Sequence, residues 1–168
     1  MLKEIYADLH IHIGRTETGR AVKITGSKNL TLQTILKTAT ARKGLDLIGI
    51  IDCHSPEVIE EIEQLIQEKL AYELTFGGVR YESTTLILGA EIEIYDEHCQ
   101  GPIHVLAFMP TIAAMKVFSN WLRAHVKNIH LSSQRIYCEG RSLQHKVHEL
   151  NGLFIPAHVF TPFNSLFG

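Results

Sequence analysis

The chain has 168 residues, 45% of them hydrophobic and 20% charged, enough to bury a sizeable core. A formal net charge of −2 argues against an extensive nucleic-acid coat while leaving room for a local basic groove. No stretch approaches the roughly 18 apolar residues of a membrane span, and no signal peptide precedes Asp8. Cys53, Cys99 and Cys138 are odd in number and far apart, with no C-x-x-C pair, and read as reduced thiols of a cytoplasmic protein. The ten histidines stand out and point to metal chemistry.

In chain order, residues 4–13 read as a first strand that ends in Asp8-Leu9-His10-Ile11-His12. Strand side chains alternate faces, so residues 8, 10 and 12 are expected on one face, with Leu9, Ile11 and Ile13 packed inward. One carboxylate and two imidazoles would thus meet at the strand's C-terminal end, where open α/β sheets and barrels hold their active sites. Residues 15–30 form a glycine-bearing loop with Arg15, Glu17, Arg20, Lys23 and Lys28. Residues 31–43 have helical spacing (Leu32, Ile35, Leu36, Ala39) and stop at Gly44. LDLIGIID (45–52) is a continuous apolar run, the mark of a strand buried on both faces, followed by Cys53 and His54. Ser55 as cap and Pro56 in the first turn open a helix that runs to about Tyr72. Its acids Glu57, Glu60, Glu61 and Glu63 form the exposed face.

TTLILGAEIEI (84–94) is another strand, with Glu91 and Glu93 on one face near its end. IHVLAF (103–108) is the next and carries His104. Thr111 caps a helix whose Met115, Phe118, Trp121 and Leu122 form a core stripe. A polar stretch, Ser132-Ser133-Gln134-Arg135, leads to a helix near 142–150. LFIPA (153–157) is the last strand, ended by His158. Repeated β-α units imply an α/β fold with a parallel sheet or barrel.

Five strand ends therefore deliver a histidine or an acid. Imidazole nitrogen with carboxylate oxygen suits zinc, manganese or iron, and the lack of clustered cysteines argues against a structural zinc knuckle. The donors exceed the four that one tetrahedral zinc needs, which points to two or more ions sharing a carboxylate. Paired ions about 3.5–4 Å apart suit phosphoester hydrolysis, because one activates water and both stabilise the attacking and leaving oxygens.

The order H-x-H, D-x-H, E, H, H resembles the PHP (polymerase and histidinol phosphatase) superfamily. Seven blocks carry a closer resemblance to the endonuclease Q family: ADLHIHIGR (7–15), KITGSKNLT (23–31), GIIDCHSPEVIEEIE (49–63), LGAEIEIYDE (88–97), GPIHVLAF (101–108), LSSQRIY (131–137) and IPAHVFTPFNSLFG (155–168). That family nicks DNA on the 5′ side of deaminated bases such as uracil and hypoxanthine. The resemblance implies a partial, distorted (β/α)7 barrel of parallel strands. It implies His10, His12, His54, His104 and His158 as metal ligands, with Glu91 as the bridging carboxylate. Asp8 and Asp52 join Glu91 in the catalytic set as groups that orient imidazoles. Two or three divalent ions are implied, zinc first, with manganese, iron or magnesium as alternatives. PHP proteins close their site with a late D-x-H pair that is absent after His158. Residues 1–168 are therefore expected to be the N-terminal part of such a domain. Glu17 stands where many PHP members place a further ligand, and we read it as a non-ligand.

The function expected is metal-dependent phosphodiester hydrolysis in DNA repair, with damaged or deaminated DNA as substrate and no membrane partner. Arg15, Arg20, Lys23, Lys28 and Arg135 are candidate phosphate contacts, aided by Ser132, Ser133 and Gln134. Phe160 or Phe163 can stack a base, worth about 1–3 kcal/mol, with core packing expected for at least one of them. His98, His125, His130, His145 and His148 read as surface residues. Two alternatives stand beside this reading. One is a small-molecule PHP phosphoesterase such as a histidinol-phosphate or nucleotide phosphatase; the other is a truncated, non-catalytic fragment that binds metal or DNA.

Overall fold

In a computed structural model that describes residues 4–167, the elements begin with β1 (Ala7–Ile11), α1 (Leu32–Thr38), β2 (Leu47–Ile50) and α2 (Pro56–Gln67). They continue through β3 (Ala71–Glu73), β4 (Val79–Tyr81), β5 (Thr84–Ile94), β6 (Ile103–Met109) and α3 (Ile112–Arg123). The last are β7 (Gln134–Arg135), α4 (Gly140–Glu149) and β8 (Leu153–Pro156).

Local chemistry sets most of these boundaries. Thr31 and Thr111 cap α1 and α3, their side chains accepting from Thr34 N and Ala114 N. α1 runs on into a π-helical turn, Ala39–Lys43, which Gly44 ends in a left-handed conformation (φ 61°). Pro56 occupies the first turn of α2, where no intrahelical donor is lost. That helix stops at Gln67 rather than near Tyr72, because the segment after it pairs as β3.

All eight strands belong to one sheet, which is not closed into a barrel. β1 pairs parallel with β2, and β2 and the short β7 pair parallel with β5. The expectation of an all-parallel arrangement is corrected on the other side of β5. There β3–β4, β4–β5, β5–β6 and β6–β8 are antiparallel. The reason is connection length. Only residues 95–102 join β5 to β6, too few for the crossover of a dozen or more residues that a parallel pair requires.

The helices pack on one face of this sheet. Val58, Ile62, Met115, Phe118, Leu143 and Val147 share a fully buried cluster with Leu86, Leu88, Ala90 and Ile92 of β5 and with Val105 and Ala107 of β6. Alternation turns Ile87, Glu91 and Glu93, with His104, Leu106 and Phe108, to the opposite face. There Ile51, Leu106, Phe108 and Ala157 form a small second cluster with Ile87 against it. The polar residues follow along the same two strands, so this second core is the floor on which the candidate site stands. Close strand approach helps to build it: a Cβ at Gly49 would lie 2.6 Å from the Leu9 carbonyl oxygen across the β1–β2 pair.

Candidate metal centre

Glu91 is 2% exposed, and its two oxygens meet different surroundings. Oε1 lies 3.2 Å from His10 Nε2, 3.3 Å from His104 Nδ1 and 3.6 Å from His158 Nε2. Oε2 lies 3.4 Å from His12 Nε2 and 3.5 Å from Lys23 Nζ, and it accepts a hydrogen bond from Ser133 Oγ. Among the described residues, two groups of donor atoms lie within 4.8 Å of one another, His10–His12–Glu91 and Glu91–His104–His158. The chain thus brings together four of the five histidines expected as ligands, around the one carboxylate expected to bridge.

The imidazoles are oriented from behind. Asp52 is fully buried, accepts from Ile13 N at 2.7 Å, and lies 3.1 Å from His12 Nδ1. With Nδ1–H donated to that carboxylate, the ring is held so that Nε2 faces Glu91. Ser132 Oγ is also 3.0 Å from His12 Nδ1. His158 adopts φ 29°, in the left-handed region that histidine tolerates better than most residues, and its Nδ1 lies 3.2 Å from Thr161 Oγ1. His104 Nε2 is 3.8 Å from Glu93 Oε2, and Glu93 is itself bound by Arg135 Nε.

The electrostatics follow from this packing. Burial alone would raise the Glu91 pKa, but hydrogen bonds from His10, His104, His12 and Ser133 hold it far below the usual carboxylate range. Burial alone would lower His12, yet its bonds to Asp52 and Glu91 outweigh that and raise it to about 9. A carboxylate kept ionised among neutralisable imidazoles is a donor set that fits divalent zinc, manganese or iron, and the two groups fit two such ions sharing Glu91.

Two expected participants, Asp8 and His54, sit elsewhere. Asp8 does not join His10 and His12, because a β-bulge between Asp8 and Ile11 breaks the alternation of β1. Asp8 instead lines a surface recess with Ile11, Leu30 and Thr34, and its carboxylate accepts from the nearby His10 N. His54 is 1% exposed and belongs to neither donor group; its Nε2 faces the Leu131 carbonyl at 3.2 Å, and its Nδ1 has no hydrogen-bond partner among the described residues. Burial lowers its pKa and keeps the ring neutral. Its strand-end position had suggested a ligand, but the backbone turns the ring into the interior. Glu17 serves α1, its carboxylate accepting from Gln33 N at 3.0 Å.

Of the basic candidates, Lys23 alone reaches the cluster. Arg15 donates to the Gly19 carbonyl at 2.7 Å, Arg20 is paired with Glu57, Arg135 with Glu93, and Lys28 is exposed. Ser132 and Ser133, expected as outward phosphate donors, turn inward to His12 and Glu91. Ser133 does so from a left-handed backbone (φ 51°) that nothing in LSSQR announces. Phe160 and Phe163 are 83% and 80% exposed, so neither packs in the core. His125 and His130 are half-buried rather than on the surface, His125 stacked on Trp121 at 4.3 Å and His130 paired with Glu57 at 2.8 Å.

No family model matches the chain. An uncharacterised Bacillus subtilis protein, YqxK, is 68% identical over 167 residues, 99% of this chain and 43% of that protein. The uncharacterised protein MJ0043 of Methanocaldococcus jannaschii is 31% identical over 92% of this chain and 16% of its own length. The chain thus spans less than half the length of the curated relatives it matches. Among solved structures, the lesion-specific endonuclease PfuEndoQ of Pyrococcus furiosus superposes with a TM-score of 0.75 at 25% identity, covering 96% of this chain and 36% of that one. An endonuclease Q bound to a 27-mer duplex with an abasic lesion at its active site gives a TM-score of 0.76 at 26% identity, over 96% and 37% of the two chains.

Proposed function

We propose that this chain, which shares the endonuclease Q fold over nearly its whole length, carries the metal centre of a lesion-specific DNA-nicking phosphodiesterase. The observation that supports this most is Glu91, a buried carboxylate ringed by four imidazoles at the strand ends of that fold. In this reading His10 and His12 hold one divalent ion with Glu91, and His104 and His158 hold a second. Zinc is the first candidate and manganese the next. Such ions supply acidity to an attacking water and positive charge to the phosphoryl oxygens.

The chain's own residues position everything around that chemistry. Asp52 fixes the tautomer and angle of His12, and Thr161 does the same for His158. Arg15, Arg20, Lys23, Lys28 and Arg135 are the proposed phosphate contacts. Arg20 and Arg135 arrive already oriented by Glu57 and Glu93, which lowers the entropy lost when they bind a backbone. Phe160, stacked on Phe167 with ring centroids 5.5 Å apart, and the exposed Phe163 follow His158 directly. They offer flat apolar surface for an unstacked base. Exposed aromatics and spread basic residues suit a polymeric substrate better than a small phosphate ester. We assign deaminated bases as the preferred lesion by resemblance to the family.

The test is cleavage of an end-labelled duplex carrying one uracil, hypoxanthine or abasic site, with zinc or manganese supplied. A nick 5′ of the lesion is expected, absent on undamaged duplex and absent with Glu91→Gln. A metal-loaded chain that binds the duplex without nicking it would overturn the assignment.

A further inference from the structure

The two halves of the centre differ in one respect that their ligands do not explain. Lys23 Nζ lies 3.2 Å from His12 Nε2, 3.5 Å from Glu91 Oε2 and 2.6 Å from Ser133 Oγ. His12 Nε2 and Glu91 Oε2 are the donor atoms that an ion in the His10–His12 group would use. No lysine or arginine nitrogen contacts Glu91 Oε1 among the described residues; its ion-pair partners are His10, His104 and His158.

Lys23 is not there by the chance lie of a flexible side chain. Its backbone N–H donates to the Ile13 carbonyl at 2.9 Å, and Val22 N donates to the Gly14 carbonyl at 3.0 Å. Ser132 N donates in turn to the Val22 carbonyl at 2.9 Å, so the 131–135 segment is locked to the same loop. The left-handed Ser133 then aims its hydroxyl between Lys23 and Glu91. Two segments far apart in sequence are thus tied together, and their joint product is an ammonium group beside one half of the centre. Only 25% of the Lys23 side chain is exposed.

We infer that Lys23 is an internal cation that competes with the ion at the His10–His12 group, so that the centre fills in order, with the His104–His158 group first. The inference rests on the metal centre proposed above. Competition rather than permanent blockade follows from the geometry. Among the described residues the one short contact of the ammonium is to Ser133, while its approaches to His12 and Glu91 are longer than strong charge-assisted hydrogen bonds. A divalent ion bonds the same atoms at about 2.0–2.2 Å and with twice the charge. Once displaced, the ammonium stays tethered by the loop backbone beside the centre, within reach of a phosphate oxygen. Filling the second group would therefore free a phosphate contact.

The experiment is a zinc titration of the chain in metal buffers, read as ions bound per chain by equilibrium dialysis and elemental mass spectrometry. Two separated steps are expected. Lys23→Met should tighten the second step by about 10- to 100-fold, the range for losing a charge-assisted hydrogen-bond competitor, and leave the first unchanged. Lys23→Arg, which keeps the cation, should keep the steps apart, and His104→Ala should remove the first step. Two equal steps in the unmodified chain, or a second step indifferent to Lys23→Met, would overturn the inference while leaving the metal centre standing. No ion bound at any zinc concentration would overturn the metal centre and this inference together.

Discussion

The His10–His12 half and the His104–His158 half of the centre present the same chemical groups to one carboxylate, but they are supported very differently. On the first side His12 rests on Asp52, fully buried and tied to the backbone at Ile13. On the second, His104 has Glu93 at 3.8 Å, a carboxylate whose side chain is 17% exposed and already engaged by Arg135. His158 lies after an edge strand whose Leu153 and Ile155 are themselves exposed. The difference teaches that ligand identity and ligand stiffness are separate properties. The first half has a fully buried orienting carboxylate behind His12 and Lys23 beside it; among the described residues the second has neither. A fully buried orienting carboxylate acts in low dielectric and resists rotation of its partner, whereas a partly exposed and shared one does so more weakly.

Glu91→Gln tests what the halves have in common and should have the largest effect. An amide cannot bridge two cations as a carboxylate does. Metal content should fall close to zero, and the proposed phosphodiesterase activity by roughly 10³-fold or more, in line with the several kcal/mol such charge supplies. Asp52→Asn and Glu93→Gln measure the asymmetry directly. The first should weaken ion binding at the His10–His12 group by about 10- to 100-fold, the second at the His104–His158 group by less than about tenfold. Equal losses in dialysis measurements would break the comparison.

A pH series of thermal unfolding in chelator sets His12 against the neighbouring strand's His54. His12 is raised to about 9, so its contribution to stability is complete below about 6.5 and is lost as pH rises toward 9. His54 is held neutral by burial, so the unfolded chain binds its proton more readily, and stability falls as pH drops below about 6.5. The acid limb can reach about 1.4 kcal/mol per pH unit for this one group. His12→Gln should flatten the alkaline limb and His54→Gln the acid limb; a profile unchanged by either would refute the burial and bonding described for that ring. The smallest effect is expected from Lys28→Ala, outside both halves. It should leave metal content unchanged and reduce the slope of DNA affinity against salt by about 1, as for a single phosphate contact.

Much of this was legible before any coordinates. The TTLILGAEIEI run set β5 to the residue, and period-two alternation along it placed Glu91 and Glu93 together on one face. Pro56, Thr111 and Gly44 marked helix ends through capping chemistry that acts within a turn. Strands β3 and β4 were missed because each is three residues long and shows no usable period. The antiparallel course of β5 and β6 was readable from their short connection but was overridden by the β-α pattern elsewhere.

The sequence by itself determined which side chains could form a metal centre and on which strands they lie, because alternation and capping are local consequences of backbone geometry. Only the tertiary structure decided who joins. A bulge in β1 removed Asp8, the turn after β2 buried His54, and the docking of the loop at 21–23 onto residues 131–133 brought Lys23, Ser132 and Ser133 inside. Each of those outcomes depends on pairing between segments distant in the chain. Their energies come from long-range hydrogen bonds and burial, and no local pattern encodes them.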